Sequence, residues 1–239
     1  MYICGMSIPY FFETDEYFDQ VALSEATMHH ALMVLRMKRG DCFWLTNGRG
    51  KKMKCEIDLV SKKQCGFHVL ETIEEVRAKP DFCLAISFTK NAARNEWLLE
   101  KITEMGVSEI IPLVCHRTEK QHLRRDRLDK IVVSAMLQSQ QTFLPKLHDP
   151  TPIAEVMLFK ASTKLVAYCG DEVPKLNLVN AIRAQDSVFM LIGPEGDFTS
   201  EEIQQCLQHD IKPVSLGTTR LRTETAGMFV GAVFNAINS

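Results

Sequence analysis

The chain has 239 residues, of which 46% are hydrophobic and 24% are charged, and its formal net charge is −2. This composition excludes a disordered chain, and the length suits one large domain or two small ones. The slightly acidic balance gives no general argument for nucleic-acid binding, so any RNA or DNA surface must come from local clusters of basic residues.

The eight cysteines include no Cys-x-x-Cys pair and no zinc-finger pattern with histidine. This spacing argues against a metal site and favours buried, reduced thiols. The first residues lack a basic segment followed by a long apolar one, and no window has the ~18 apolar residues that a membrane span needs. We therefore expect a protein of the reducing cytoplasm, with no metal and no membrane partner.

Residues 1–75 are predicted to form a β-rich domain. The predicted strands, which carry aromatic or β-branched residues, are 41–46, 54–59 and 66–72. Asn47-Gly48-Arg49-Gly50 lies between the first two and is typical of a hairpin turn. One helix is expected at 24–37, capped by Ser24 and ended by Gly40. This pattern fits a small β-barrel or sandwich with one helix.

The pattern changes at residues 76–81, where Pro80 marks a linker. Apolar strand-like runs then alternate with helical segments, which indicates a mostly parallel sheet covered on both faces. The predicted strands are 82–88, 109–114, 164–168, 187–192 and 213–216. The predicted helices are 93–105, 127–141, 178–184, 200–209 and 224–237. We therefore expect an α/β domain over residues 76–239.

Particular residues predict the ends of three helices. Thr199 and Glu202 have the spacing of a capping box. Gly106 is expected to end the preceding helix in a left-handed conformation, and Thr223 is expected to cap the last helix. That last helix, 224–237, is apolar on most of its faces, which predicts burial in its own core or against a second subunit.

Two strand–loop–helix junctions in the last fifth of the chain carry the strongest functional signal. Gly193-Pro194-Glu195-Gly196 follows one predicted strand, and Leu216-Gly217 follows another. Ligands of open α/β sheets bind outside the carboxyl ends of the strands, where glycines let a backbone approach a ligand closely. The chain lacks a P-loop and a Gly-x-Gly-x-x-Gly motif after the strand at 82–88, which argues against nucleoside triphosphates and nicotinamide cofactors.

Basic residues cluster in two stretches of the sequence. The first contains Arg36, Lys38, Arg39, Arg49, Lys51, Lys52, Lys54, Lys62 and Lys63, and the second contains His116, Arg117, Lys120, His122, Arg124, Arg125 and Arg127. Each stretch alone is typical of a solvated face, but phosphate backbones are bound by such patches. Arg220 and Arg222 would lie at the mouth of the predicted sheet, where an arginine can grip a phosphate or stack on a base. Together these clusters support an RNA partner.

The motifs, taken in order, resemble those of the RsmE family of ribosomal RNA methyltransferases, which belongs to the SPOUT superfamily. In the last fifth of the chain the resemblance rests on Gly193-Pro194-Glu195-Gly196, Leu216-Gly217 and Leu221-Arg222-Thr223-Glu224-Thr225-Ala226. Earlier it rests on His29-His30, Val34-Leu35-Arg36, Gly40-Asp41, Lys90, Trp97, Lys101, Thr103-Glu104-Met105-Gly106-Val107, Pro112, Arg117 and Gln138-Ser139. Asp197 stands where the family usually has a second glycine after Glu-Gly.

The resemblance implies S-adenosylmethionine-dependent methylation of N3 of one uridine in the 16S ribosomal RNA of the small subunit. It implies a PUA-like, RNA-binding β-barrel over residues 1–75 and a SPOUT domain over residues 76–239. That second domain would contain a deep trefoil knot, which is an exception to the rule that protein chains are not knotted. The resemblance also implies a homodimer with the cofactor bound in the knot, near the dimer interface.

The resemblance also implies roles for individual residues. We expect Arg222 to stabilise the negative charge that develops on the uracil, and Glu224, or a water that it orders, to take the N3 proton, with Glu195 as the alternative base. The expected cofactor-binding residues are Tyr168, Cys169, Gly193, Pro194, Glu195, Gly196, Leu216, Gly217, Leu221, Thr223, Thr225 and Ala226. The expected RNA-binding residues are Arg36, Lys38, Arg39, Lys90, Arg94, Arg117 and Arg220.

Two other functions stay open from the sequence. One is a SPOUT methyltransferase that acts on another RNA, such as a transfer RNA ribose, although the N-terminal His-His, Leu-Arg and Gly-Asp signature argues against it. The other is a non-catalytic RNA-binding protein of ribosome assembly, which would not bind the cofactor.

Overall fold

The computed structural model describes residues 8–14, 18, 22–61, 64–77, 80–119 and 123–239. The chain forms two compact units, one of Met1–Arg77 with Met136–Leu144 and one of Ala78–Ala135 with Pro145–Ser239. That a segment from the middle of the chain, Met136–Leu144, groups with the first unit was not predicted. The sequence hypotheses also included Cys4, Lys62, Lys63, Lys120 and His122, which lie outside the described residues.

The first unit is built on a four-stranded sheet. Its strands are β1 (Tyr10–Phe12), β2 (Cys42–Thr46), β3 (Lys51–Val60) and β4 (Cys65–Glu74). They lie in chain order, with β1 parallel to β2 and the other pairs antiparallel. The predicted turn joins β2 to β3, and its Asn47 Oδ1 accepts hydrogen bonds from the backbone N–H groups of Arg49 (2.9 Å) and Lys51 (3.2 Å). The three predicted strands are thus confirmed, whereas β1 was not predicted.

Three phenylalanine rings form the centre of this unit's core. The Phe43 ring lies 5.4 Å from Phe11 and 5.5 Å from Phe67, both edge to face. Each of these rings comes from a different strand, and each is at most 3% exposed. Such edge-to-face contacts stabilise the packing beyond the burial of area alone.

A short helical segment precedes β2. Helix α1 covers Glu25–His29 and continues as a π-helical turn, His30–Val34. The Ser24 hydroxyl accepts a hydrogen bond from the backbone of Thr27, so the predicted cap is confirmed. The prediction that the helix runs to residue 37 and is ended by Gly40 is wrong, because the chain turns into the left-handed region at Arg36, with φ 56°.

The second unit is built on an eight-stranded sheet in which every described strand pair is parallel. Its strands are β5 (Phe82–Ile86), β6 (Glu109–Val114), β7 (Lys146–Leu147), β8 (Thr151–Pro152), β9 (Thr163–Ala167), β10 (Leu176–Asn177), β11 (Val188–Ile192) and β12 (Lys212–Ser215). The order across the sheet is β10-β12-β9-β11-β5-β6-β7, and β8 pairs with β6. Every residue of β5 and β11 is buried, as expected for central strands covered on both faces.

Helices connect these strands. They are α2 (Ala92–Glu104), α3 (Arg125–Gln138), α4 (Ile153–Val156), α5 (Leu178–Ala181), α6 (Ser200–Gln208) and α7 (Thr223–Ile237). All five predicted strands and all five predicted helices of this region form, with ends that differ by at most three residues. The short elements α4, β7, β8 and β10 were not predicted. No helix among the described residues is both long and apolar enough to cross a membrane.

Two of the predicted helix ends are confirmed in atomic detail. The Thr199 hydroxyl accepts a hydrogen bond from the Glu202 backbone at 3.2 Å, and a Glu202 carboxylate oxygen accepts one from the Thr199 backbone at 2.9 Å. This reciprocal pair is the capping box that starts α6. Gly106 follows α2 with φ 82°, the left-handed conformation expected of a residue that ends a helix.

The last helix, α7, packs closely on the second unit. The Phe234 ring stacks on Phe82 with centroids 4.8 Å apart. At Gly227, an added Cβ would lie 2.8 Å from Leu98 Cδ1 and 2.9 Å from Ile86 Cδ1, so the glycine permits close contact with α2 and β5. The predicted burial in the chain's own core is therefore observed for this face. The outward face remains apolar, with Met228, Phe229 and Val233 half-buried and Ala232 exposed.

Candidate active site

The carboxyl ends of adjacent parallel strands meet at one edge of the second unit's sheet. Across that edge the strands follow the order β12, β9, β11, β5 and β6. The loops after β9, β11 and β12 start at Tyr168, Gly193 and Leu216, so the structure brings the three predicted cofactor loops together. This edge is where open α/β sheets bind their ligands.

The loop after β11 combines buried and exposed residues. Gly193 and Pro194 are buried, whereas Glu195 and Gly196 are exposed. A Cβ on Gly193 would lie 3.0 Å from the Phe198 ring, a tight contact that favours glycine at this position. The Gly196 carbonyl oxygen accepts a hydrogen bond of 2.6 Å from the Arg117 guanidinium, which fixes the outer part of the loop.

Asp197 joins this loop to the one after β9. Its Oδ2 accepts a hydrogen bond from the Cys169 backbone N–H at 2.9 Å, and its Oδ1 accepts one from the Phe198 backbone N–H at 2.8 Å. Asp197 has φ 62°, a left-handed conformation that is unfavourable for most residues other than glycine. Hydrogen bonds to an ionised carboxylate are stronger than neutral ones and offset that strain.

The loop after β9 is held by its own polar side chains. The Tyr168 hydroxyl donates a 2.6 Å hydrogen bond to Glu172, and this bond, followed by burial, raises the pKa of Tyr168 to about 12. Lys175 Nζ donates to the Gly170 carbonyl at 2.7 Å. Cys169 is exposed, and its thiol pKa is raised first by desolvation and then by the negative charge of Asp197.

The loop after β12 leaves a stretch of backbone open. Gly217 has φ 133°, and no described atom lies within 4 Å of the place where a Cβ would stand. The Ser215 hydroxyl donates to the Gly217 carbonyl at 3.0 Å and thereby holds this conformation. Leu216 and Leu221 are half-buried on either side of the exposed residues 217–220. A ligand can therefore lie directly against the Gly217 backbone.

The first turn of α7 contacts the loop after β11. Arg222 is the N-cap residue of α7, its side chain makes no capping hydrogen bond, and it is exposed. The expectation that Thr223 caps the helix is wrong, because Thr223 is already the first helical residue and its hydroxyl donates to the Gly193 carbonyl at 3.4 Å. Thr225 is half-buried and Ala226 is buried.

Glu224 is the buried acid of this turn. It is 8% exposed, and its Oε1 lies 3.5 Å from Nε of Arg94, in the first turn of α2. Its Oε2 is buried and has no hydrogen-bond partner among the described residues. A helix N-terminus favours a carboxylate, so α7 itself stabilises this charge. Most buried polar atoms are paired, and an orphaned one calls for an explanation.

A cavity of about 310 Å³ opens beside Glu224. It is lined by Asn91, Ala93, Arg94, Trp97, Glu224 and Thr225. Arg94 was predicted to bind RNA and Glu224 to act in catalysis, whereas no ligand role was predicted for Asn91, Ala93 or Trp97. A tryptophan three residues after an arginine on a helix shares its face, and that spacing was the signal that could have identified this pair.

The predicted RNA-binding residues fall into two groups. Arg36, Lys38 and Arg39 are exposed residues of the first unit. Lys90, Arg94, Arg117 and Arg220 belong to the second unit, in the loops or first turns that follow its strands. Part of the second basic stretch is neutralised, since Arg125 pairs with Asp129 and Asp149, and Arg127 pairs with Glu96. No cluster of acidic, histidine and cysteine side chains suited to a metal occurs in the described part of the chain.

The sequence matches known RNA methyltransferases along most of its length. The family described as RNA methyltransferase domain matches residues 77–235, and the RNA methyltransferase PUA domain matches residues 23–69. The ribosomal RNA small subunit methyltransferase E of Mesomycoplasma hyopneumoniae is 31% identical over 162 residues, which cover 65% of this chain and 69% of that protein. The chain belongs to the RsmE family of RNA methyltransferases.

Solved structures agree with this membership. A probable rRNA-methyltransferase from Porphyromonas gingivalis is 32% identical with a TM-score of 0.90, covering 97% of this chain and 98% of that one. A ribosomal RNA small subunit methyltransferase E from Neisseria gonorrhoeae, bound to S-adenosyl methionine, is 26% identical with a TM-score of 0.82 and the same coverage. The predicted parallel α/β domain, the preceding PUA-type domain and the RNA methyltransferase class of this RsmE-family chain are thereby confirmed.

Proposed function

We propose that this RsmE-family enzyme transfers the methyl group of S-adenosylmethionine to N3 of one uridine in the 16S ribosomal RNA of the small subunit. The observation that carries the proposal is the meeting of three loops and the first turn of α7 at one sheet edge, with the charged pair Arg222 and Glu224 in that turn. The names of the relatives support the same substrate class, and the S-adenosyl methionine bound to one of them supports the same cofactor.

The residues of the three loops fit the cofactor. The open backbone at Gly217, the small Gly193 and the exposed Gly196 give a surface that a flat adenine and a ribose can approach. The other residues that would hold the cofactor are Tyr168, Cys169, Pro194, Glu195, Leu216, Leu221, Thr223, Thr225 and Ala226. When bound, the cofactor supplies an electrophilic methyl group on its sulfonium, so the protein has mainly to position the acceptor atom in line.

Arg222 and Glu224 are assigned the catalytic roles at the uracil base. Uridine N3 carries a proton and lies on the Watson–Crick edge, so the base must be unpaired or flipped out before it reacts. The exposed Arg222 guanidinium would stabilise the negative charge that develops on N3 and the neighbouring carbonyl oxygens. Glu224, whose Oε2 lacks a partner in the described part of the protein, would accept the N3 proton directly or through a water. Glu195 is exposed and less suited, because no described contact orients its carboxylate.

The proposal extends to a cytoplasmic homodimer with a trefoil-knotted second unit and an RNA-binding first unit. The face of α7 that points away from the chain's own core is also apolar. It carries Met228, Phe229, Ala232 and Val233. An apolar helix face of this kind is typical of an interface with a second subunit. Free cysteines throughout the described residues fit a reducing compartment.

The substrate class can be tested by transfer of a labelled methyl group. Small subunits, large subunits and transfer RNA from cells that lack this gene are incubated with the protein and labelled S-adenosylmethionine. The proposal predicts label in the small-subunit RNA alone. Label in transfer RNA would replace the proposed substrate, and binding of RNA with no label in any of the three would favour a non-catalytic assembly protein.

A further inference from the structure

The cavity beside Glu224 combines three chemical features in one small volume. Its volume of about 310 Å³ falls in the range of small-ligand sites. The Arg94 guanidinium and the Trp97 indole come from one face of α2, three residues apart, and the Glu224 carboxylate comes from the first turn of α7. The cavity thus offers a cation, an aromatic plane and an anion.

The carboxylate is the feature that points to a ligand. Glu224 Oε2 is buried and has no hydrogen-bond partner among the residues that the structure describes, and Oε1 is only loosely paired with Arg94 at 3.5 Å. The Glu224 carboxylate is therefore incompletely satisfied, and a hydrogen-bond donor on a bound ligand would pair with it. An ionised carboxylate only accepts hydrogen bonds, so this ligand must present an N–H or O–H group.

Trp97 provides the plane. Trp97 is 41% exposed, although tryptophan residues usually bury most of their area. Exposed aromatic rings next to basic side chains are the platforms on which unpaired nucleobases stack. Trp97 and Glu224 line the same cavity, so the edge of a base stacked on the Trp97 ring lies close to the Glu224 side chain.

We propose that this cavity binds a flipped-out uracil of the RNA substrate. The uracil stacks on Trp97, donates its N3–H to the Glu224 carboxylate and accepts a hydrogen bond from Arg94 at a neighbouring carbonyl oxygen. Cytosine and adenine carry an unprotonated ring nitrogen at the corresponding position, which would place a lone pair against the carboxylate. The inference rests on the proposed function, because it states where the acceptor base of that reaction lies.

The position of the cavity agrees with this use. The turn of α7 that supplies Glu224 and Thr225 to the cavity also carries Thr223, whose hydroxyl contacts the Gly193 carbonyl of the loop assigned to the cofactor. One helical turn therefore joins the base cavity to the cofactor loop. Asn91 caps α2, the helix that carries Arg94 and Trp97, through its side chain.

Tryptophan fluorescence tests the cavity without catalysis. The chain has two tryptophans, so Trp44→Phe leaves Trp97 as the single reporter, and Trp97→Phe is the matched control that keeps Trp44. The probes are hexacytidylates whose third base is replaced by uracil, guanine or adenine, together with the unsubstituted hexamer. Binding is followed in parallel by fluorescence anisotropy of an end label, in the absence of cofactor.

The uracil-containing hexamer is expected to quench Trp97 and to bind at least about fivefold more tightly than the cytosine and adenine hexamers. Glu224→Gln should remove that preference while anisotropy still detects binding, and Arg94→Ala should reduce it. Equal affinity for all hexamers, tighter binding of guanine, or binding without Trp97 quenching would each overturn the proposal.

The experiments distinguish failure of the proposed function from failure of the proposed base cavity. Methylation of uridine without Trp97 quenching would keep the function and reject the cavity. Uracil-selective quenching in a protein that methylates another nucleoside would keep the cavity and reject the function. Thermal unfolding of each variant confirms that it is folded before it is titrated.

Discussion

At the scale of single residues, Asp197 shows how a side chain can replace the glycine that the RsmE family usually has. Its backbone lies in the left-handed region, and its carboxylate accepts hydrogen bonds from the backbone of two residues, one of them in the neighbouring loop. The sequence identified Asp197 as a departure from the family pattern, but the second loop that it holds could not be seen. The partner, Cys169, is 28 residues away, and only the fold brings it into contact.

Asp197→Ala removes both acceptors and keeps the unfavourable φ. Hydrogen bonds to charged groups contribute about 1.5–3 kcal/mol each, and Asp197 is only half-buried, so we expect the loss of both to lower the free energy of unfolding by about 3 kcal/mol. We also expect weaker S-adenosylmethionine binding by calorimetry, and Asp197→Asn should restore part of both. Asp210→Ala is the matched control, because Asp210 also has positive φ (58°) and follows α6, before β12 begins. Equal losses in the two alanine variants would contradict a role in joining the loops.

Arg222 is the residue whose removal should affect chemistry most. Its side chain is exposed and makes no capping hydrogen bond, so Arg222→Ala should leave the fold and the cofactor affinity unchanged. Loss of one group that stabilises charge in a transition state typically costs 10²–10³ in turnover, so a drop of about that size is expected. Single-turnover methylation and cofactor calorimetry measure the two effects. Unchanged turnover would remove Arg222 from the mechanism.

At the scale of secondary structure, the sequence predicted the long elements of the second unit well but missed the four-residue helix α4 and the two-residue strands β7, β8 and β10. Buried strands such as β5 and β11 can be predicted because they have apolar residues at nearly every position. Two-residue strands such as β7 and β10 are too short for any period to appear. The end of α1 was missed because a positive φ at an arginine, here Arg36, has no sequence signature comparable with glycine.

The candidate site was predictable loop by loop, but its cavity was not. Glycines and charges marked the loops after β11 and β12, since each loop follows an apolar strand directly. The cavity needs Trp97 and Glu224, which are far apart in the sequence and meet only because α2 packs against α7. No local sequence pattern predicts which helices, distant in the sequence, pack against each other.

The contact of α7 with α2 and β5 can be tested at its glycines. Gly227→Ala should lower the free energy of unfolding by about 1–3 kcal/mol, because the new methyl would overlap Leu98 and Ile86 in a packed core. Gly231→Ala is the control on the same helix, since the closest contact of its Cβ would be the flexible Met105 sulfur at 3.2 Å, with the next atoms at 3.8 and 3.9 Å. Urea denaturation compares the two. A loss in Gly231→Ala as large as that in Gly227→Ala would contradict the packing described.

At the scale of the whole molecule, a chain with a net charge of −2 is assigned to RNA through the placement of its basic residues. Bulk composition gave no hint of this, because acidic residues elsewhere balance the charge. The order of the motifs along nearly the whole chain identified the family, and the two matching domain families agree with that order. The knot, the dimer and the roles of single residues stay predictions.

The proposed dimer depends on the outward face of α7. Light scattering should give twice the chain mass of 27.1 kDa for the unmodified protein. Ala232→Glu places a charge on that exposed face and should shift the mass towards the monomer. Val179→Glu changes another exposed apolar residue, on α5, and should leave the mass unchanged. A monomer in the unmodified protein would reject the interface.

Identification of the methylated nucleoside tests the central claim most directly. Small subunits from cells that lack this gene are incubated with the protein and S-adenosylmethionine, and the RNA is digested to nucleosides for mass spectrometry. We expect new N3-methyluridine, formed by the unmodified protein and not by Arg222→Ala. A different methylated nucleoside, or none in subunits that the protein binds, would contradict it.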